Sequence, residues 1–465
     1  MADQVQLSFL EWVASQEQAR RTQYQTYREY YDGEQAAQLT ERLRRILMLK
    51  TGNEFSLNLC AAVVDSLAER LNVTGFDAGS QSDQLWQWWE ADRMDGTQTN
   101  LHLATVRDGD SYILVDWDKD EKRPTFWHEL ASDGDGVLIH YGERRQVPTF
   151  ASKRWRVEDG PDAGKMRRLN LYYPEKIEKY YSDDDEFEGN WRQFIEAEGD
   201  SWPTPWVDAE NKPLGVPVVH FRNRAQGYNY GQSEQKAAIG PQNGLNKSVI
   251  DLLLAADVSA FRLPWVVGGS DPGSPDIGPG AIMHFPDPET RPGEWSSADL
   301  SPLLLMVDQF KLSCAQVTRT PTSAFQLTRQ VAAEGTLKQQ ESGLVAKAKN
   351  RQRFFGNSWE DCMIMARRLS NVFGEGGMDE TQIISTQWSD PETRNELDMA
   401  QVAAVHVEKL GVPREVAWRK VGYTQAEIDE MLASDEHQAR TNLMRLGMTG
   451  GVAGGEQDSD EESEE

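Results

Sequence analysis

Three stretches of the chain hold residue types suited to phosphate, calcium or nucleophile chemistry, and each fails on spacing. Gly160-Pro-Asp-Ala-Gly-Lys165 has the glycines and lysine of a phosphate-binding loop, but three residues separate the glycines and Met166 follows the lysine. That chemistry needs four residues there and a Ser or Thr to hold magnesium. Asp116, Asp118 and Asp120 open like a calcium loop, yet Glu121 stands where the loop needs glycine and Trp127 where it needs a bidentate glutamate. A β turn and a solvated acidic turn are the simpler readings. Gly269-Ser270 lacks the flanking pattern of a nucleophile elbow. The seven histidines (His102, His128, His140, His220, His284, His406, His437) are never four apart on a helix. The three cysteines, Cys60, Cys314 and Cys362, are too scattered for a metal-binding pair. No catalytic residue, metal or cofactor is expected, although dispersed carboxylates keep a metal-dependent hydrolase open as an alternative.

The charge balance narrows the field further. With 48 basic and 75 acidic residues, the 465-residue chain has a formal charge of −27. The C-terminal stretch Glu456, Asp458, Asp460, Glu461, Glu462, Glu464 and Glu465 holds acid and no base, yet the rest of the chain is acidic too. A protein that grips duplex DNA needs a net basic face, so a DNA-binding surface could exist here only as a local exception. Length suggests roughly two to four domains. The 38% hydrophobic content and fifteen Trp suit a folded body. The opening residues lack a signal-peptide pattern, no apolar run reaches membrane-span length, and unpaired cysteines suit a reducing compartment. The expectation is a soluble intracellular product with no membrane partner.

Elements that could position a site come in three blocks. The first hundred residues read as helix: Leu7 to Tyr31, Ala36 to Lys50, Leu57 to Leu71, and a short helix holding Trp86, Trp88 and Trp89, whose rings suit core or interface packing. From Ser111 to Asn223 short alternating segments read as antiparallel strands (112–117, 151–155, 169–173, 177–181, 191–195 and 216–221), with Asp/Gly-rich turns at 132–136 and 159–164. Helix then returns at Pro241.

Between Leu245 and Phe261 apolar residues cover most of the helix circumference, leaving a strip of Gly244, Ser248, Asp251, Ala255, Ser259 and Arg262. A helix apolar on several sides is packed on several sides. On pattern alone the strip fits two readings equally: the water-facing wall of a ring of helices, or a core helix with tolerated polar positions. A Gly/Pro-rich insertion with short strands at 265–267 and 281–283 precedes a second helix, Ser301 to Thr318, with Ser301 as cap and Pro302 at its first turn. Leu303, Val307, Phe310, Cys314 and Val317 share one face of it, and Arg319-Thr-Pro321 stops it. A polar stretch to Ala333 leads into a long helix, Glu334 to Leu369. A strand at 382–388 follows, then closing helices opened by capping boxes at Ser389–Glu392 and Thr424–Glu427, with another starting near Gly411. The segment from Gly450 is Gly-rich, then acidic, and is expected to be disordered.

In this order, a run of landmarks resembles the portal proteins of tailed bacteriophages, of the siphophage type. They are Tyr30-Tyr-Asp-Gly-Glu34, Asn58, Val63-Val-Asp-Ser-Leu-Ala-Glu-Arg-Leu71, Gly75-Phe76, Asp108-Gly-Asp-Ser-Tyr112 and Pro213-Leu-Gly-Val-Pro-Val-Val219. Gly231-Gln-Ser-Glu234, Leu245-Asn-Lys247, Thr318-Arg-Thr-Pro321, Glu334-Gly-Thr-Leu-Lys338 and Trp388-Ser-Asp-Pro391 continue the run. No one of them is specific, their order and spacing are, and the likeness spans residues 7 to 440. Ala332-Ala333 departs from it, since such portals often carry Ser or Gly before the long helix.

The resemblance implies an α+β fold with an α/β wing, a two-helix stem, a small α/β clip and a helical crown, assembling into a ring, typically a dodecamer, at one capsid vertex of the virion. Residues 1–240 would form the wing, 241–262 and 301–318 the stem helices, 263–300 the clip and 319–333 a tunnel loop. Residues 334–390 would form the long wing helix and returning strand, 391–440 the crown and 441–465 the acidic tail. The implied partners are other copies of the chain, double-stranded DNA passing without sequence specificity, terminase, major capsid or scaffold protein, and a head-completion adaptor. The strip from Gly244 to Arg262 would face the channel. The tunnel-loop residues would be Arg319, Thr320, Thr322, Ser323, Gln326, Thr328, Arg329 and Gln330, although residue types alone favour an ordinary polar connection there. Trp265, Asp271, Asp276, Asp287, Glu289 and Arg291 would dock terminase and adaptor in the clip. A capsid structural protein without a DNA channel is a further alternative.

Overall fold

The computed structural model describes residues 2–35, 57–143, 147–160, 163–183, 190–195, 201–225, 227–260, 264–267, 289, 291–294, 299–325, 334–392, 396–421, 423, 428 and 431–434. The expected helix at 36–50, the strand at 281–283, the capping box at 424–427 and the acidic tail fall outside these residues. The chain divides into two compact units, Met1–Trp388 and Ser389–Glu465.

In the first unit, helix α1 (Ala2–Asp32) buries Leu10, Val13, Tyr24 and Tyr27 along one side and ends at Gly33, whose positive φ of 77° breaks the helix. Helix α2 (Cys60–Ala68) is shorter than its apolar pattern predicts at both ends: Asn58 Oδ1 accepts the Ala61 N–H at 3.2 Å at its start, and at its end the Arg70 and Leu71 N–H groups tighten into turns on Leu67 O and Ala68 O. Strand β1 (Val73–Asp77) and helix α3 (Ser82–Ala91) follow; Trp88 and Trp89 are buried, and Trp86 stacks on Trp89. These rings pack the core.

Helix α4 (Met94–Asp108) is not foreseen from the sequence. It has no apolar stripe because it is buried through polar groups: Gln98, His102, Thr105 and Asp108 are all interior. Each is satisfied, for example by His102 Nδ1 against Leu71 O at 2.9 Å and Trp359 Nε1 donating to His102 Nε2 at 3.0 Å.

The strands form two main antiparallel sheets. The first has the order β10-β2-β3, from β2 (Asp110–Asp118), β3 (Arg123–Leu130) and β10 (Val218–Arg222). The second runs β4 (Gly136–Tyr141), β5 (Pro148–Arg156), β6 (Arg167–Tyr172), β7 (Lys176–Ser182) and β8 (Arg192–Gln193), with β9 (Thr204–Pro205) pairing β7. Strands β3 and β4 are additional to the sequence reading. The expected strand at 191–195 shrinks to a two-residue pairing that leaves Ile195 exposed.

Helix α5 (Ile239–Ala260) is followed by a hairpin of β11 (Pro264–Val267) and β12 (Arg291–Glu294), then α6 (Ser301–Thr318). The acceptor at the start of α6 is Asp299, whose Oδ1 takes the Ser301 N–H at 2.9 Å, so Ser301 is the first helical residue and not the cap. Helix α7 (Glu334–Phe373) runs one turn beyond the expected end and buries Phe355, Trp359, Cys362, Met363 and Leu369 against the first sheet. Trp359 lies edge-on to both Trp89 and Phe221 at 4.8 Å. Strand β13 (Ser385–Trp388) returns to pair antiparallel with β1. In the second unit, α8 (Glu396–Leu410) begins later than the Ser389–Glu392 capping box predicts. Gly411 at φ 65° then separates it from α9 (Arg414–Val421).

Candidate functional site

The elements expected to build a channel, α5, α6 and the connection from α6 to α7, are joined to the sheet-bearing body by a polar and ionic root. On the α5 side, Gln242 Oε1 accepts the Leu59 N–H at 2.7 Å and Asn246 Oδ1 accepts that of Leu57 at 3.1 Å. The Tyr30 hydroxyl donates to Asn243 Oδ1 at 2.8 Å. On the α6 side, Cys314 packs in an apolar cluster with Cys60, Val63 and Ala238.

Beneath both helices, Glu234 on the turn into α5 is buried with two cations. Lys347 Nζ lies 2.8 Å from Glu234 Oε1, and Arg351 Nη2 lies 3.2 Å from Oε2. Lys347 also donates to Thr318 O, at the last turn of α6, at 2.6 Å. Arg351 Nε donates to Asn223 Oδ1. Burial pushes the Glu234 carboxyl upward, but Lys347 and Arg351 outweigh it and hold the group below its ordinary range. Burial lowers Lys347 despite that carboxylate. None of these groups is flagged by residue type alone. The only sequence signal is their position, in Gly231-Gln-Ser-Glu234 and in the cation-rich start of α7.

The chain enters this root through a tight crossing. A Cβ at Gly231 would land on the Gly109 carbonyl oxygen, so only glycine fits. The Gly231 N–H donates to buried Asp110 Oδ1 at 2.6 Å. Asp110 also takes His220 Nε2 at 2.9 Å and the Tyr24 hydroxyl at 2.8 Å. Burial alone would raise this carboxyl; His220 and Arg20 keep it below the usual value.

The predicted site residues divide sharply by place. Gly244, at the start of the proposed channel strip, faces its own partner helix: an added Cβ would meet Phe310 at 2.5 Å. Ser248 is buried and donates back to Gly244 O at 2.8 Å. These two small residues serve close helix packing within the chain, which corrects their assignment to a water-facing wall. Asp251 pairs with Lys247 at 2.9 Å on the outer side of α5, and Ala255 is half-buried. Ser259 lies on the last turn of α5, and Arg262 is outside the described residues.

On α6, Val307 and Cys314 point inward as expected, but Val317 is exposed together with Leu304, Leu305, Met306 and Leu312. In the loop, Arg319 is exposed in a left-handed conformation at φ 53°. Thr320 is instead buried, with its N–H on Ala315 O at 3.1 Å and its hydroxyl 3.0 Å from that of Thr318, so it is unavailable to a polyanion. Thr322 and Ser323 lie on a short turn, half-buried and exposed respectively. Gln326, Thr328, Arg329 and Gln330 fall outside the described residues, as do Asp271, Asp276 and Asp287. Trp265 and Arg291 sit on opposite strands of the β11–β12 hairpin, and Glu289 is exposed just before β12. Among the described residues no three His, Cys, Asp or Glu side chains are grouped to hold a metal ion.

The portal protein of Mycobacterium phage D29 is 27% identical over 413 residues, covering 83% of this chain and 79% of the phage protein. That of Mycobacterium phage L5 is 26% identical over 419 residues, with the same coverage of 83% and 79%. A chain of a solved structure titled "Neck of native GTA particle computed with C12 symmetry" shares 10% identity and a TM-score of 0.42, covering 77% of this chain and 88% of its own. At that score the likeness carries no argument. The model of the family described as phage portal protein, SPP1 Gp6-like, matches residues 10–441, and the chain belongs to that family.

Proposed function

We propose that copies of this chain close into a ring, a dodecamer, whose α5 and α6 helices surround a channel for double-stranded DNA during packaging and ejection. The body formed by residues 1–240 and 334–390 acts as the wing, α5 and α6 as the stem, 263–300 as the clip, 319–333 as the tunnel loop and 391–440 as the crown. The clip docks terminase and then the head-completion adaptor, and the wing meets capsid or scaffold protein at one vertex of the virion. Assembly takes place in the host cytoplasm. The role is that of a conduit and docking hub, not an enzyme; family membership supports it.

One observation carries the reading. Helix α6 exposes Leu305 at 70%, Val317 at 54% and Leu304 at 53%, beside Met306 and Leu312. A helix pair that packs on itself and still shows this much apolar surface is built for neighbours on its flanks. Covering a leucine contributes about 1.5–3 kcal/mol when burial is complete, so a ring gains at every subunit boundary. After the corrections above, the channel wall is left to Asp251, Ala255, Ser259 and Arg262, and the loop contact to Arg319, Thr322, Ser323 and the residues beyond. Twelve copies would carry roughly 300 negative charges, a field that lets a polyanion pass without holding it.

Negative-stain imaging of the purified full-length protein tests the proposal. Closed rings with a central hole wide enough for a DNA duplex are expected. A monodisperse monomer at every concentration and ionic strength tried would contradict it. The same preparation should show no magnesium-dependent ATPase or nuclease activity, and such activity would favour a hydrolase.

A further inference from the structure

We propose that Lys347 is a positioning residue for the loop that leaves α6, and that with Glu234 it ties the direction of that loop to the root of α5. The inference rests on the reading of residues 319–333 as a loop that reaches the channel.

Helix α6 ends with carbonyls that have no partner inside the helix. Arg319 and Thr320 turn back to fill those of Gln316 and Ala315, at 3.3 and 3.1 Å. The Thr318 carbonyl is filled from outside by the Lys347 ammonium, a cation placed where the helix dipole favours it. The same ammonium holds Glu234, so a single charged group touches the end of one stem helix and the turn that begins the other. Both side chains are almost fully buried, at 11% and 4% exposure. On the same face of α7 one turn earlier, Gly343 lies against Arg319, where an added methyl group would meet the Arg319 Cβ at 3.6 Å and its carbonyl oxygen at 3.8 Å.

A buried ion cluster is a poor source of net stability. Its desolvation cost approaches its Coulomb gain, and well-packed apolar residues commonly do as well. What it supplies is one geometry. Lys347 reaches Thr318 O and Glu234 together when the last turn of α6 lies on α7, and Arg319, in its left-handed conformation, follows directly on the carbonyl that is held. Releasing the ammonium therefore frees Arg319 and the residues after it, while the apolar body around Trp359 keeps its own contacts.

Limited trypsin digestion of the full-length protein, with cleavage sites and rates read by mass spectrometry, tests this. Lys347→Met should speed cleavage after Arg319 by about tenfold or more, with rates at body sites and the melting temperature nearly unchanged. Lys347→Arg, which keeps a donor for both partners, should restore slow cleavage. Glu234→Gln, which leaves the bond to Thr318, should have a smaller effect than Lys347→Met. If Lys347→Met does not fold, Lys347→Gln is judged by the same ratio of rates. A wild-type rate at Arg319 in Lys347→Met would overturn the proposal. So would a uniform rise at all sites with a lowered melting temperature, which would mark Lys347 as merely structural. Ring formation is scored separately by imaging: absence of rings in the wild type would overturn the channel reading but leave the cleavage result standing.

Discussion

The sheet-bearing body and the α5–α6 pair solve opposite problems. The body closes its core within one chain: Glu17 and Arg154 form an ion pair with both side chains fully buried, Asp110 collects four donors, and Trp89 and Trp359 share a core with the first sheet. The helix pair covers only part of its apolar surface: Leu245, Ile250, Val307 and Cys314 are buried, whereas Leu253, Leu304, Leu305, Leu312 and Val317 are exposed. The difference separates what one chain can fold alone from what an assembly must complete.

That contrast can be broken from either side. The largest effect is expected at Gly231, where alanine would collide with the Gly109 backbone. Gly231→Ala should leave no cooperative melting transition in the isolated chain, and a normal transition would mean the crossing can open cheaply. Next, Asp110→Ala leaves Arg20 and His220 without their carboxylate and the Gly231 N–H without its acceptor. A loss of about 3–5 kcal/mol in denaturant unfolding is expected. Leu305→Asp should do the reverse of these two, weakening ring assembly by at least about a hundredfold, near 3 kcal/mol, while the monomer melts as before.

A smaller, graded effect comes from acid. Burial pushes His140 down to about 3 and His102 and His128 to about 4, from an ordinary value of 6.5. The folded chain then holds fewer protons than the unfolded chain between roughly pH 6.5 and 4, so stability is lost as pH falls through that window. At pH 5 each histidine costs up to about 2 kcal/mol. His140→Gln should flatten the fall in melting temperature by one such share, and an unchanged slope would count against burial as its cause. The smallest expected effect is Asp299→Ala, seen as faster hydrogen exchange in the first turn of α6 with the melting temperature unchanged.

Local stop signals made some of this legible in advance. Pro302 and Arg319-Thr-Pro321 bracket α6, and the predicted boundaries 301 and 318 match the helix. The long helix is readable for a different reason: Phe355, Trp359, Cys362, Ala366 and Leu369 recur at helical spacing. Helix α4 was not, because Gln98, His102 and Thr105 enter the interior through hydrogen bonds, which leave no hydrophobic period to detect. A small residue at helical spacing signals a close neighbour but does not say which one, and at Gly244 the neighbour is Phe310, not water. Thr320 was misplaced because a threonine after a helix end reads as exposed until its carbonyl partner, Ala315, is known.

The central claim, that neighbouring copies complete the helix pair, is tested most directly by hydrogen exchange on assembled rings and on monomers of the same protein. The account predicts that protection across 301–318 rises by about tenfold or more on assembly while β2 and β3 stay unchanged. Equal protection of 301–318 in both states would contradict it.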